Sequence, residues 1–203
     1  MHRFMENTNP KIRDQKFEIE NLMTTRETLI VALNKYHSDF SEENKFRDQF
    51  LKLLDQPRCF FRDHLPGHIT GSAFIIDEQG QHTLLTHHAK LNRWLQPGGH
   101  ADGDENVMDV AWREAQEETG LKKLTIHNES IFDIDIHIIP ARKDFPEHQH
   151  YDIRFLFRAS REEAFHISEE SHDLAWKPLS EMAFITGNNV SMLRMAEKAG
   201  ALF

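Results

Sequence analysis

Three carboxylates close together in the chain, Glu114, Glu117 and Glu118, are the side chains best suited to do chemistry. On a helix turning about 100° per residue, Glu118 falls about 40° to one side of Glu114 and Glu117 about 60° to the other, so all three share an arc of about 100°. Like charges held this close repel one another at neutral pH. A hard cation relieves that repulsion, and oxygen ligands of this kind suit Mg²⁺ or Mn²⁺. The competing reading of the same residues is a solvated acidic helix face. The stretch from Gly99 to Leu121 carries seven acidic side chains against one basic, Arg113, so the charge is local and not merely a property of the whole chain. Just ahead of it, the pair Gly98-Gly99 reads as a loop whose bare backbone can approach a ligand closely.

The elements that must position these groups follow from periodicity. A helix from about Glu105 to Glu118 carries the apolar stripe Met108, Ala111 and Ala115 beside its carboxylate edge, and Gly120 stands where a left-handed C-terminal cap is favoured. Ahead of it, residues 69–76 read as a strand, 77–80 as a turn and 83–86 as the partner strand of a hairpin. Further strands are expected over 131–139 and 151–157, with a short one at Ala175-Trp176 and a closing helix over 191–199. The run Gly67 to Ser72 contains glycines but lacks the spacing of a phosphate-binding loop, so it is taken as the start of a strand. From Thr25 to Leu54 the spacing of Leu29, Ile30, Leu33 and Tyr36, then Phe46, Phe50, Leu53 and Leu54, predicts two amphipathic helices, the second capped by Asp39 or Ser41. Pro57 and Pro66-Gly67 punctuate the exit, which places a boundary near residue 62. The organisation expected is an N-terminal helical extension over 1–62, covering the site or building a homodimer, and an α/β sandwich over 63–203.

Gly99, Glu105, Arg113, Glu114, Glu117, Glu118, Gly120 and Leu121 also reproduce, position for position, the signature G-x5-E-x7-R-E-U-x-E-E-x-G-U of the Nudix hydrolases, which this chain resembles. The one departure is Ala115, where the pattern has a bulkier aliphatic residue. The resemblance implies an α/β/α sandwich with a mixed sheet over about residues 63–203, the N-terminal helical extension lying outside it, and a metal-dependent hydrolase of a nucleoside diphosphate linked to another group X. It implies further that Glu114, Glu117 and Glu118 bind Mg²⁺ or Mn²⁺ together with the main chain of Gly98 or Gly99. Glu105 and Arg113 would then support the site, Arg113 orienting Glu117 and pairing with Glu105. Members of the family often recruit another carboxylate just ahead of a late Trp-containing strand, a place that Glu170 occupies here with Glu169 beside it. Glu114, Glu118 and Glu170 are the candidates for the base that takes a proton from the attacking water. The alternative on the same fold is a non-catalytic module that binds or senses a nucleotide.

The 203 residues include fourteen histidines, several of them clustered: His87-His88, His100 beside the glycines, His137, and His148-x-His150. In a strand, His148 and His150 point to one face, the arrangement of a metal pair or a phosphate clamp, whereas ordinary hydrogen-bonding residues would look the same in sequence. His100, His148 and His150 are therefore candidates for substrate or additional metal contacts. Arg93-Trp94 and Arg142-Lys143 could reach a substrate, although Trp94 fits a sheet core and the two basic residues fit solvent. The partner expected is a small diphosphate-containing molecule. A formal charge of −9 has the wrong sign for gripping a nucleic acid polymer through its phosphates. No run reaches the roughly 18 apolar residues of a membrane span, the first residues lack an apolar signal core, and the single Cys59 reads as a buried small hydrophobe. A cytoplasmic setting is expected on those grounds.

Overall fold

The computed structural model describes residues 26–143, 145–169 and 171–203. Two helices open it, α1 (Arg26–Lys35) and α2 (Ser41–Leu54). The strands and the central helix follow in the order β1 (Gly67–Ile76), β2 (His82–His88), β3 (Arg93–Leu95), β4 (Gly98–His100), α3 (Val107–Thr119), β5 (Thr125–Ile126), β6 (Asp133–Ile139), β7 (His148–Arg158) and β8 (Ser171–Pro178). A 3₁₀ turn at Leu179–Glu181 leads into α4 (Met182–Ile185) and α5 (Val190–Gly200).

The strands form one mixed sheet. Its centre is the parallel pair β1–β7, in register from Gly67 opposite Gln149 to Ile76 opposite Arg158. β4 and β2 run antiparallel along the other edge of β1, and β6 and β5 along the other edge of β7. β8 and β3 pair with β2. β1 is buried along its whole length, so alternation sorts its side chains between two cores rather than between core and water. Ile69, Ala73 and Ile75 join Ile153, Phe155 and Phe157 of β7 in a core closed by α1, α2 and α3. Phe74 and Ile76 join Leu85 and Leu156 in a second core closed by Met182 of α4 and by Met192, Met195 and Ala199 of α5. Helices thus cover both faces of the sheet, as the α/β/α reading requires.

The N-terminal helices pack onto the sheet. Leu33, Phe50 and Leu54 are essentially inaccessible and belong to the same core as the sheet residues. Burial of such side chains stabilises by roughly 1.5–3 kcal/mol each. Cys59 is fully buried as expected, and burial pushes its thiol up to about 11.

Charge is buried here as well. Glu43 of α2, with no exposed surface, accepts hydrogen bonds from Tyr36 Oη at 2.5 Å, Lys198 Nζ at 2.6 Å and the Ile134 N–H at 3.1 Å. Lys198 also reaches Asp133, which receives Arg154 and Arg194 at 2.9 Å each. This network joins α2, β6, β7 and α5, and it neutralises charges that none of those elements could bury alone.

Several local expectations change. The start of α2 uses neither Asp39 nor Ser41: Phe40 occupies the cap without a side-chain bond, while the Ser38 hydroxyl accepts from the Phe40 N–H and donates to Glu43. Gly98-Gly99 lies in a strand, β4, because β1 pairs with it residue by residue. The strand around Trp176 is eight residues long, its length set by its ladder with β2.

Candidate active site

Helix α3 is fixed at both ends. The Asn106 side-chain oxygen accepts from the Asp109 N–H at 3.4 Å, and its amide donates to the Asp109 carboxylate at 2.7 Å. Gly120 closes the helix at φ 71°, a left-handed conformation that costs glycine nothing, and its N–H donates to the Gln116 carbonyl at 2.8 Å. Along its buried face run Val107, Met108, Val110, Ala111 and Ala115, and the helix backbone rests on Gly71 of β1. A Cβ at Gly71 would come within 2.7 Å of the Val107 carbonyl oxygen. Ala115, the one departure from the signature, is fully buried on the same helix.

The approach brings the acidic edge of α3 against β4. The Gly98 N–H donates to Glu118 Oε1 at 2.8 Å. Gly99 lies so close to Glu114 that any Cβ on it would collide with the carboxylate. Arg113 donates to Glu114 Oε1 at 2.6 Å, stands 3.6 Å from Glu117 Oε2 and reaches the His100 carbonyl at 3.4 Å. Glu114 is mostly buried, whereas Glu117 is 61% exposed. Behind β4, the Ser72 hydroxyl fills the space a Gly98 side chain would need and donates to buried Asp152 at 2.7 Å, which also accepts from Thr70 at 3.0 Å and Gln96 at 3.3 Å. Asp152 was not foreseen. Its one sequence signal is an acid flanked by apolar strand residues.

Arg113 turns toward Glu114 and Glu117, and the expected pair with Glu105 gives way to another. Glu105 receives the Arg26 backbone N–H and guanidinium, each at 3.0 Å, and the same guanidinium donates to the Leu54, Gln56 and Pro57 carbonyls. The loop ahead of α3 is further tied down by Arg62 on Asp102, whose carboxyl is held below the ordinary range chiefly by that hydrogen bond. Glu169 is exposed, and Glu170 lies outside the described residues.

The histidines gather on the other side of β4. His148, His150 and His137 project from one face of paired strands, with His68 directly across from His150 and His100 opposite Thr70. His68 stands 4.9 Å from His150 and 5.2 Å from His100, ring centre to ring centre. Burial lowers His68 and pushes His100 down to about 4 and His150 down to about 2, so these rings are neutral at pH 7. Sequence reasoning missed His68, because only the β1–β7 register reveals where it lies. Trp94 is partly buried beside the second core, with Lys177 Nζ 3.8 Å from its ring centre, and Arg142 and Lys143 are exposed.

The fold agrees with what known proteins show. The model of the NUDIX domain matches residues 67–197, well over half of the chain. The chain belongs to the Nudix hydrolase family. A probable DHNTP pyrophosphohydrolase of Lactococcus lactis is 31% identical over 120 residues, covering 57% of this chain and 70% of the relative. The m7GpppN-mRNA hydrolase NUDT17 of Danio rerio is 41% identical over 56 residues, 25% of this chain, and the match spans only 19% of that longer protein. Among solved structures, a C. elegans Ap4A hydrolase in a binary complex superposes with a TM-score of 0.53 at 22% identity, over 66% of this chain and 96% of the other, which shows a shared fold. Among the described residues, no helix is long and apolar enough to cross a membrane.

Proposed function

We propose that residues 63–203 form a catalytic domain hydrolysing a diphosphate linkage in a small nucleotide-like molecule, a nucleoside diphosphate joined to a group X. The observation that carries this reading is the junction of α3 and β4, where the Glu118 carboxylate is held by the Gly98 N–H and the Glu114 carboxylate lies on a glycine that leaves no room for a side chain. Two anchored carboxylates, a third at the solvent edge and the adjacent main-chain carbonyls are an all-oxygen donor set that fits Mg²⁺ or Mn²⁺. Glu114, Glu117 and Glu118, with the carbonyl of Gly98 or Gly99, would hold the ions. When bound, such ions offset the charge of the diphosphate oxygens and lower the pKa of water.

The remaining work falls to the chain itself. Arg113 orients Glu114 and offsets part of the repulsion among the three acids. The Gly98 N–H fixes one oxygen of Glu118 and so sets the orientation of its carboxylate. Glu114 or Glu118 accepts the proton of the attacking water as its oxygen joins phosphorus and the bond to the leaving phosphate oxygen breaks. The names of the relatives, a pyrophosphohydrolase, an mRNA hydrolase and an Ap4A hydrolase, favour a nucleotide-like diphosphate as substrate.

The test is phosphate release from a panel of nucleoside triphosphates, nucleotide sugars and dinucleotides, with and without Mg²⁺, using Glu118→Gln as the blank. Mg²⁺-dependent release absent from the variant supports the reading. Silence across the panel from folded, Mg²⁺-binding protein would favour the non-catalytic module.

A further inference from the structure

The histidine group behind β4 has the features of a metal centre separate from the acidic edge. His68 and His150 face each other across the parallel β1–β7 ladder, and His148, two residues back on β7, shares their side of the sheet. The ring nitrogens of these three lie within 4.8 Å of one another, and among the described residues no other group of three potential ligands is so close.

Two of the rings are set by backbone carbonyls. His148 Nδ1–H donates to the Pro146 carbonyl at 2.9 Å, and His68 Nδ1–H to the His64 carbonyl at 3.3 Å. A proton on Nδ1 leaves a bare lone pair on Nε2, the tautomer in which an imidazole ligates through Nε2 while its other nitrogen is anchored. The His148 lone pair points at His150, with the two Nε2 atoms 3.3 Å apart. The His68 Nε2 is buried without a hydrogen-bond partner among the described residues, in a side chain with no exposed surface. A tetrahedral ion at about 2.1 Å from each nitrogen sets its ligands about 3.4 Å apart, so one pair already has this spacing and the third ring needs only a small closing movement.

We infer that His68, His148 and His150 bind a divalent transition-metal ion of the Zn²⁺ type, with His100 the nearest candidate for a fourth ligand. Imidazole donors without a carboxylate select Zn²⁺ and its neighbours over Mg²⁺. The two centres are distinct because adjacent residues of β4 serve them from opposite sides, Gly99 lying on Glu114 and the His100 ring on His68 and His150. The inference does not depend on the hydrolase reading.

The experiment uses full-length protein without a polyhistidine tag, stripped with chelator and titrated with Co²⁺ in excess Mg²⁺. Binding is read by calorimetry and by the visible absorption of four- or five-coordinate Co²⁺. Wild type and Glu118→Gln should both bind one equivalent with that absorption. His148→Gln should lose the band and at least about tenfold in affinity. His150→Gln, at a partly exposed position, provides the same comparison should His148→Gln fail a circular dichroism check of its fold. No stoichiometric Co²⁺ binding to wild type, or binding kept by folded His148→Gln or His150→Gln and lost in Glu118→Gln, would overturn the inference.

Discussion

Replacing Gly99 by alanine should separate catalysis from folding. A Cβ on Gly99 would lie 2.7 Å from Glu114 Oε1 and closer still to the rest of that carboxylate, whereas ordinary contact begins at 3.4 Å. The carboxylate must therefore retreat by about 0.7 Å or more. The three nearest atoms all belong to the end of the Glu114 side chain, and Gly99 does not have the positive φ that would strain an alanine. The fold should tolerate the change to within about 1 kcal/mol, since a compatible Gly→Ala substitution gains a few tenths to 1 kcal/mol through the unfolded state. Catalysis should not tolerate it. A displacement of about 1 Å at reacting groups costs up to about a hundredfold, so kcat/KM should fall by about ten- to a hundredfold. Gly98→Ala gives the contrast: its Cβ would come 2.8 Å from the Ser72 Cα, a backbone atom, so the β1–β4 pairing must open and stability should fall by about 1–3 kcal/mol. Urea denaturation measures the first quantity and Mg²⁺-dependent phosphate release the second. Wild-type turnover by a fully folded Gly99→Ala protein would refute the placement of Glu114 in the site.

Glu43→Ala should lower the free energy of unfolding by about 3–5 kcal/mol in urea, because it leaves Lys198 and Arg194 facing a buried gap in their charge balance. Arg26→Ala should cost about 1–2 kcal/mol, since Glu105 Oε1 and three carbonyls at and beyond the end of α2 lose the guanidinium while Glu105 Oε2 keeps the backbone N–H; a thermal melt reads this directly. Burial by itself would raise the Asp133 carboxyl, but the Arg194 hydrogen bond and the charges of Arg154 and Lys198 outweigh it and hold the group below the ordinary range. A depressed carboxylate stabilises above its unfolded pKa of about 3.9 and loses that contribution as pH falls below it toward the folded value. Stability should therefore drop with acid from about pH 4 downward, and Asp133→Asn should flatten the drop in denaturation curves taken across that range.

What the sequence made legible was whatever repeats over a short span. The acidic arc of Glu114, Glu117 and Glu118, the Gly120 cap and the shared side of His148 and His150 each follow from the period of one element, and the structure has all three. What it concealed depends on pairing between distant segments. Glu105 takes Arg26 from 79 residues away, a partner that no local spacing announces. Gly98–His100 looks like a loop because two glycines and a histidine have no period, and only the edge of β1 makes it a strand. His68 becomes part of the histidine group solely through the β1–β7 register. Asp133, Asp135, Asp152 and Arg154 alternate with apolar residues as a half-exposed strand would, yet all four are buried, because their charges balance one another and those of Arg194 and Lys198.

We propose that the carboxylates at the α3–β4 junction run a Mg²⁺-dependent hydrolysis. Its most direct test is the rate of phosphate release from the best substrate of the panel, measured across a Mg²⁺ titration for wild type, Glu114→Gln and Glu118→Gln. Turnover should vanish without Mg²⁺ and fall at least about tenfold in each variant, as expected for loss of a ligand or base. Equal rates in wild type and both folded variants, or release that ignores Mg²⁺, would contradict the account.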